Sequence, residues 1–311
     1  MTTDLATLRQ QFPALVNKTY LNYGGQGPLP QAAIDAIGEA YDRVQKDGPF
    51  SKKINLWISQ LTTQLRSTMA AELGVDGDTI TLTENVTAGC NIALWGLNWK
   101  KGDRILLNDC EHPGVVAAIE ELKRRFEIEI DICPIVETLN HRDPTDAICD
   151  RIDSRTRLVV LSHVLWNTGQ VLDLEKIVKV AHNSDALVLV DAAQSVGLLP
   201  LKLADLGVDF YGFTGHKWWC GPAGVGGLYV SETAREHLHP TYIGWRGIEM
   251  DENGNPTGWK PNGQRYEIAT SAYPLYAGLL AAIEGHQKWG TATERYKKIC
   301  QNSDRLWQQL S

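Results

Sequence analysis

The sequence predicts an α/β protein built on a mostly parallel central sheet covered by helices. Three observations carry that prediction. Short β-branched apolar runs alternate with stretches of helical periodicity from residue 80 to residue 230. Several runs are apolar at every position, as strands buried on both faces are. Polar residues gather just after the runs, at the carboxyl ends of parallel strands, where ligands collect in such sheets.

Taken in order, Ile80–Thr83 reads as a strand and Thr87–Leu97 as a helix opened by a Thr87 cap. Arg104–Leu107 is a second strand, followed after Pro113 by an amphipathic helix over Val115–Phe126. Glu129–Cys133 and Arg157–Leu161 are further strands, Asp173–His182 a helix, and Leu187–Val190 another buried strand. Phe210–Thr214 and Gly227–Val230 close the series. Helices between strands imply right-handed parallel crossovers. Past Ile243 the Gly/Asn/Pro-rich stretches 254–258 and 261–263 read as an exposed excursion, and Pro274–Gly290 and Thr293–Leu310 as helices. The chain then stops without a strand partner. The expected organisation is an N-terminal segment (1–15), a large domain (16–255), and a linker leading into a smaller, incomplete α/β domain (256–311).

Composition narrows the function classes. Among 311 residues, 30 Lys and Arg stand against 37 Asp and Glu, a net charge of −7 that is the opposite of a nucleic-acid footprint. No apolar run approaches the roughly 18 residues of a membrane span, and the N-terminus lacks the pattern of a signal peptide. The expectation is a soluble cytoplasmic protein with no nucleic-acid or membrane partner. Six scattered cysteines without a Cys-x-x-Cys pair predict reduced, mostly buried thiols and no metal site. Dinucleotide, Walker, zinc-protease and serine-hydrolase motifs are absent.

Strand ends supply the candidate residues Thr87, His112, His163, Asn167, Asp191, Gln194, His216 and Lys217. The most specific constellation is Leu187-Val-Leu-Val-Asp191-Ala-Ala-Gln194, followed 26 residues after Asp191 by Lys217 in Phe213-Thr-Gly-His-Lys217. It brings a carboxylate and an amine to one sheet edge. Pyridoxal 5'-phosphate requires such a lysine, a carboxylate to keep its ring nitrogen protonated, and a helix N-terminus with hydroxyl donors for its phosphate. A surface lysine, a capping Asp and an ordinary polar Gln remain the plainer readings.

On these motifs the sequence resembles the class V aminotransferases, which are fold type I pyridoxal-phosphate enzymes. Within them it resembles the cysteine desulfurase branch, and most closely the cyanobacterial cyst(e)ine carbon–sulfur lyases, from about Tyr20 through Ser271. The resemblance implies that Lys217 is the Schiff-base lysine and proton carrier. It implies that Asp191 faces the pyridinium nitrogen, that Gln194 bonds the phenolic oxygen, and that His112 stacks on the ring and shuttles protons. Thr87, Ala88, Thr214 and His216 would hold the phosphate, and Thr270 would reach the phosphate of a neighbouring subunit in a homodimer, although Ala269 stands where Gly is usual. Asn167 would contact cofactor or substrate. Trp218, Trp219, Trp245 and Tyr20 are candidates for an aromatic substrate wall, whereas Cys220 reads as a buried thiol. Arg246 or Arg265 would have to clamp the substrate carboxylate if no later arginine does.

The resemblance further implies β-elimination of cystine or cysteine to a persulfide or sulfide, pyruvate and ammonia, feeding an iron–sulfur assembly acceptor. Desulfuration to alanine with an enzyme-bound persulfide is the alternative. A catalytically silent scaffold is the reading from another class.

Overall fold

The computed structural model describes residues 5–138 and 141–310. A short helix α1 (Leu5–Gln10) precedes two long ones, α2 (Gln31–Asp47) and α3 (Lys52–Leu73), the latter capped by Ser51, whose Oγ accepts from Ile54 N. The sheet then begins with β1 (Ile80–Thr83), α4 (Val86–Gly96), β2 (Arg104–Asn108), α5 (Pro113–Phe126) and β3 (Glu129–Cys133). It continues through α6 (Pro144–Cys149), β4 (Thr156–Ser162), α7 (Leu174–His182), β5 (Leu187–Asp191) and α8 (Leu203–Leu206) to β6 (Phe210–Thr214) and β7 (Gly226–Val230). After α9 (Glu232–Arg235) come β8 (Ile248–Met250), β9 (Pro256–Trp259), α10 (Tyr273–Trp289) and α11 (Ala292–Leu310). Every strand expected between 80 and 230 is present within a residue or so of its expected bounds.

The seven strands are ordered β1-β7-β6-β5-β4-β2-β3. β6, β5, β4, β2 and β3 run parallel, while β7 is antiparallel to both of its neighbours. With β7 alone reversed, the sheet is mostly parallel, as expected. No helix intervenes between Thr214 and Gly226, and without a crossover the chain returns as a hairpin-like pair.

Alternation along the strands sorts the core into two layers. Leu106, Val159, Leu161, Val188 and Val190 join one cluster with residues of α3, α7 and α10. Ile105, Leu107, Leu158, Val160 and Leu189 join a second with Cys90, Ala93 and Leu94 of α4 and Val115, Ile119 and Leu122 of α5. Both faces of the sheet are therefore covered, which is why the middles of its central strands, Ile105–Leu107, Leu158–Leu161 and Leu187–Val190, are apolar on both faces.

The expected excursion is exposed over 254–259, and it carries a regular pairing. Residues 248–250 and 256–259 pair antiparallel into an exposed ribbon, turned by Asp251, whose carboxylate accepts from the amides of Asn253 and Asn255. α10 packs on α2 and α3. All six cysteines are free, and Cys90, Cys110, Cys133 and Cys220 are buried. Among the described residues no helix is long and apolar enough to cross a membrane, and no cluster of metal-ligating side chains forms.

Candidate active site

Strand register lines up the chemistry. Ser162, Asp191 and Gly212 stand level across β4, β5 and β6, and Gly226 of β7 lies between Thr214 and Thr83. Alternation then fixes direction. Asp191 shares a face with Leu187 and Leu189, and Ser162 with Leu158 and Val160, so both point to the layer covered by α4 and α5. His163, one residue on, points the other way. It is buried with Nδ1 2.9 Å from the Tyr211 hydroxyl, and burial pushes its pKa down to about 4. His163 is thus a packing residue rather than a member of the site.

Asp191 is 5% exposed and accepts from Ala193 N at 2.9 Å. Burial raises its pKa, partly offset by that amide and by the charges of Lys217 and His112. Lys217 stands three residues past the end of β6 and is half-buried. Burial lowers its pKa, and the attraction of Asp191 opposes the fall. Its Nζ makes no hydrogen bond or ion pair among the described residues. Beside it, His216 Nδ1 lies 2.7 Å from Thr214 Oγ1, and burial followed by the Lys217 charge lowers the His216 pKa.

The N-terminus of α4 differs from its expected form. Asn85, not Thr87, is the cap, its Oδ1 accepting from Ala88 N at 2.9 Å. The Ala88 amide is therefore occupied, and Gly89 N donates to the Asn85 carbonyl. This leaves the Val86 and Thr87 amides and the Thr87 hydroxyl as first-turn donors for an anion. His112 caps α5, its Nδ1 accepting from Gly114 N at 3.1 Å. A Cβ on Gly114 would lie 3.2 Å from His112 Nδ1 and 3.9 Å from Thr87 Oγ1, so the two helix starts meet. The exposed His112 ring meets Trp166 edge-on at 6.4 Å. Asn167 is also exposed.

The loop before α2 closes over the lysine turn. Gly27 N donates to the His216 carbonyl at 2.8 Å, and a Cβ on Gly27 would lie 2.1 Å from the Lys217 carbonyl oxygen, so only glycine fits. Gln194 spans the two segments, donating to the Gly24 carbonyl at 3.0 Å and accepting from Trp218 Nε1 at 2.8 Å. One Gln194 N–H is left for a ligand. Tyr23 stacks on Trp218 at 5.9 Å and meets Tyr20 edge-on at 5.8 Å. The Tyr20 hydroxyl lies 2.7 Å from the Gln26 carbonyl oxygen, to which it donates.

The proposed aromatic wall is therefore only partly assembled. Trp219 is 0% exposed, packed edge-on against Phe213 at 5.6 Å, and belongs to the core. Trp245 lines a cavity of about 920 Å³ with Tyr41, Arg246, Thr270 and Tyr273, which does not include Lys217. Thr270 is exposed and also shares a cavity of about 540 Å³ with Ala88. Arg246 is not available as a carboxylate clamp, because it bonds Glu267 Oε2 at 3.1 Å and the Tyr273 hydroxyl at 2.9 Å. Arg265 is held through Nε to the Lys260 carbonyl at 2.9 Å. Cys220 is the buried thiol expected, its pKa pushed up to about 12 by burial.

Sequence reasoning missed Asn85, Tyr23 and Trp166, whose roles depend on which elements meet. Glu111 was also missed, although it directly precedes His112. The residues present fit pyridoxal phosphate. An unpartnered half-buried amine faces a buried carboxylate that has one backbone donor, and an unengaged hydroxyl stands at a helix N-terminus.

A family model described as aminotransferase class V matches residues 19–311. Among solved structures, the cystine C–S lyase C-DES in complex with its reaction product cysteine persulfide is 53% identical with a TM-score of 0.93, covering 96% of this chain and 79% of that one. A C-DES mutant with glycine covalently linked to its PLP cofactor is 52% identical with a TM-score of 0.94, with the same coverage. A probable cysteine desulfurase of Methanothermobacter thermautotrophicus is 28% identical over 279 residues, 89% of this chain and 68% of that protein.

Proposed function

Because the chain belongs to the class V aminotransferase family, we propose that it is a pyridoxal-phosphate-dependent carbon–sulfur lyase that eliminates sulfur from cystine or cysteine. The observation that carries this reading is the unpartnered Lys217 amine within electrostatic reach of the buried Asp191 carboxylate. Similarity to C-DES, above half of aligned positions, supports the substrate class.

Lys217 would hold the cofactor's aldehyde carbon, Asp191 the ring nitrogen, and Gln194 the phenolic oxygen. Thr87, Thr214 and His216 would hold the phosphate, with the Ala88 turn beneath it. When bound, the cofactor supplies an electron sink for the charge that develops at the substrate α-carbon. Burial lowers the Lys217 pKa, so at neutral pH a larger fraction of its amine is free to take the α-proton. Asp191, ionised, keeps the proton on the ring nitrogen. His112, at the exposed start of α5, and Asn167 stand where substrate would enter. β-Elimination would then release a persulfide from cystine, or sulfide from cysteine, and the three-carbon enamine remainder, once released, takes up one water to give pyruvate and ammonia.

A desulfurase would need a thiolate near Lys217 to receive the sulfur. Cys220, three residues away, is buried with its thiol held protonated, and so does not serve. A homodimer in which Thr270 reaches the neighbouring phosphate belongs to the same proposal. It is supported by the exposed apolar Tyr242, Ile243, Trp245 and Ile268 near the exposed Thr270. Delivery of the sulfur to iron–sulfur assembly rests on the resemblance alone. The test is a product assay with cystine and with cysteine. Pyruvate is expected; alanine would instead establish desulfuration, and a protein without a borohydride-sensitive absorbance band would be a silent scaffold.

A further inference from the structure

Beside Asp191 lies a second buried carboxyl that the proposed reaction leaves unused. Glu111 is 6% exposed and pairs with no cation among the described residues. Its Oε1 accepts from Ser162 N at 2.8 Å and from Asn108 Nδ2 at 2.5 Å, and its Oε2 lies 2.8 Å from Ser162 Oγ. A hydroxyl accepts as well as it donates, so this pair accommodates a proton on Oε2. Ser162 stands level with Asp191, and the next amide, His163 N, donates to the Asp191 carbonyl.

The titratable groups facing Glu111 are Asp191 from β5, Cys90 from α4 and Cys110 from its own turn. None brings a positive charge, whereas Lys217 and His112 act on Asp191. Two neighbouring buried carboxyls do not both ionise cheaply, and the cations decide which one does. Burial and the Asp191 charge push the Glu111 pKa up to about 8.

We infer that Glu111 is a positioning residue for the proposed reaction. Held un-ionised between Ser162 and Asn108, it pins the turn that presents His112 and leaves Asp191 to carry the negative charge facing Lys217. The inference rests on the cofactor reading above, and its test separates the two.

Infrared spectra of the purified protein at neutral pH should show the carbonyl stretch of a buried protonated acid, and Glu111→Gln should lose it. Glu111→Ala, which removes three contacts, should lower kcat/KM on the order of ten- to a hundred-fold and shift the pH at which the cofactor band changes. Glu111→Gln should restore both, since a carboxamide keeps the Oε1 acceptor and places an N–H toward Ser162. A wild-type protein without the acid band overturns the inference. So does a Glu111→Gln variant as impaired as Glu111→Ala when both melt like wild type. Failure of the cofactor reading shows independently, as a wild-type protein with no cofactor absorbance, and leaves the infrared result to be read on its own.

Discussion

Asp191 is costly where it stands. A carboxylate with one backbone donor and a half-buried amine for company is poorly compensated in the folded protein, as the upward shift of its pKa records. That cost is the mark of a group kept for chemistry rather than for stability. Asp191→Asn keeps the shape and removes the charge. It should lower kcat on the order of 10²-fold or more, the scale of one lost electrostatic contact to a reacting centre, while the thermal midpoint holds or rises. Parallel kinetic and melting measurements check both halves, and a variant that loses stability along with activity would make Asp191 a structural acid. Lys217→Ala belongs to the same scale. It should abolish both turnover and the borohydride-sensitive band, because no other described amine shares the position.

At the scale of elements, the start of α4 shows what a local sequence pattern leaves undecided. Asn85 and Thr87 are both good caps, two residues apart, and only the place where β1 ends selects Asn85. Asn85→Ala should cost about 0.5–2 kcal/mol in denaturant unfolding and weaken cofactor retention, since the freed Ala88 amide loosens the turn under the phosphate. The strands were legible because β2, β4 and β5 are buried on both faces and carry that burial in unbroken apolar runs. The direction of β7 follows from its connection, not from its own residues. The Asp191 and Lys217 pair was legible because Asp191 ends β5 and Lys217 lies three residues past β6. Arg246 was misleading, because its partner is fixed only in the folded chain. Glu267 also receives Arg66 at 2.5 Å, from an α3 position 201 residues away, and the Leu82 amide of β1 at 3.1 Å. This acid ties α3, β1 and the segment leading to Thr270 into one joint. Glu267→Ala leaves two nearly buried guanidinium groups without their carboxylate, and should cost about 3–5 kcal/mol in a denaturant titration.

Across the whole molecule, the buried titratable groups set how stability responds to pH, and they work in opposite directions. His163 and His286 are held neutral by burial, with pKa values near 4 in the folded protein against about 6.5 when unfolded. The unfolded chain binds more protons between these values, so their contribution is full above pH 6.5 and is lost as pH falls toward 4. Glu111 has the reverse sign. With a folded pKa of about 8 against about 4.3 unfolded, the native state keeps a proton that the unfolded chain releases. Its contribution is therefore greatest in acid and declines as pH rises to about 8. Asp191 is raised in the same direction but opposed by Lys217. Below pH 6.5 the two histidines outweigh the single Glu111 carboxyl, so the net slope of these three groups is toward greater stability with rising pH. Between pH 6.5 and 8 these histidines no longer contribute a slope and the Glu111 decline remains, at up to about 1.4 kcal/mol per pH unit. Denaturant unfolding across that interval should show wild-type stability falling, and Glu111→Gln should flatten the fall because the carboxamide releases no proton. A wild-type profile already flat there would mean that Glu111 is ionised in the native protein, and that Asp191 faces Lys217 with a second negative charge beside it.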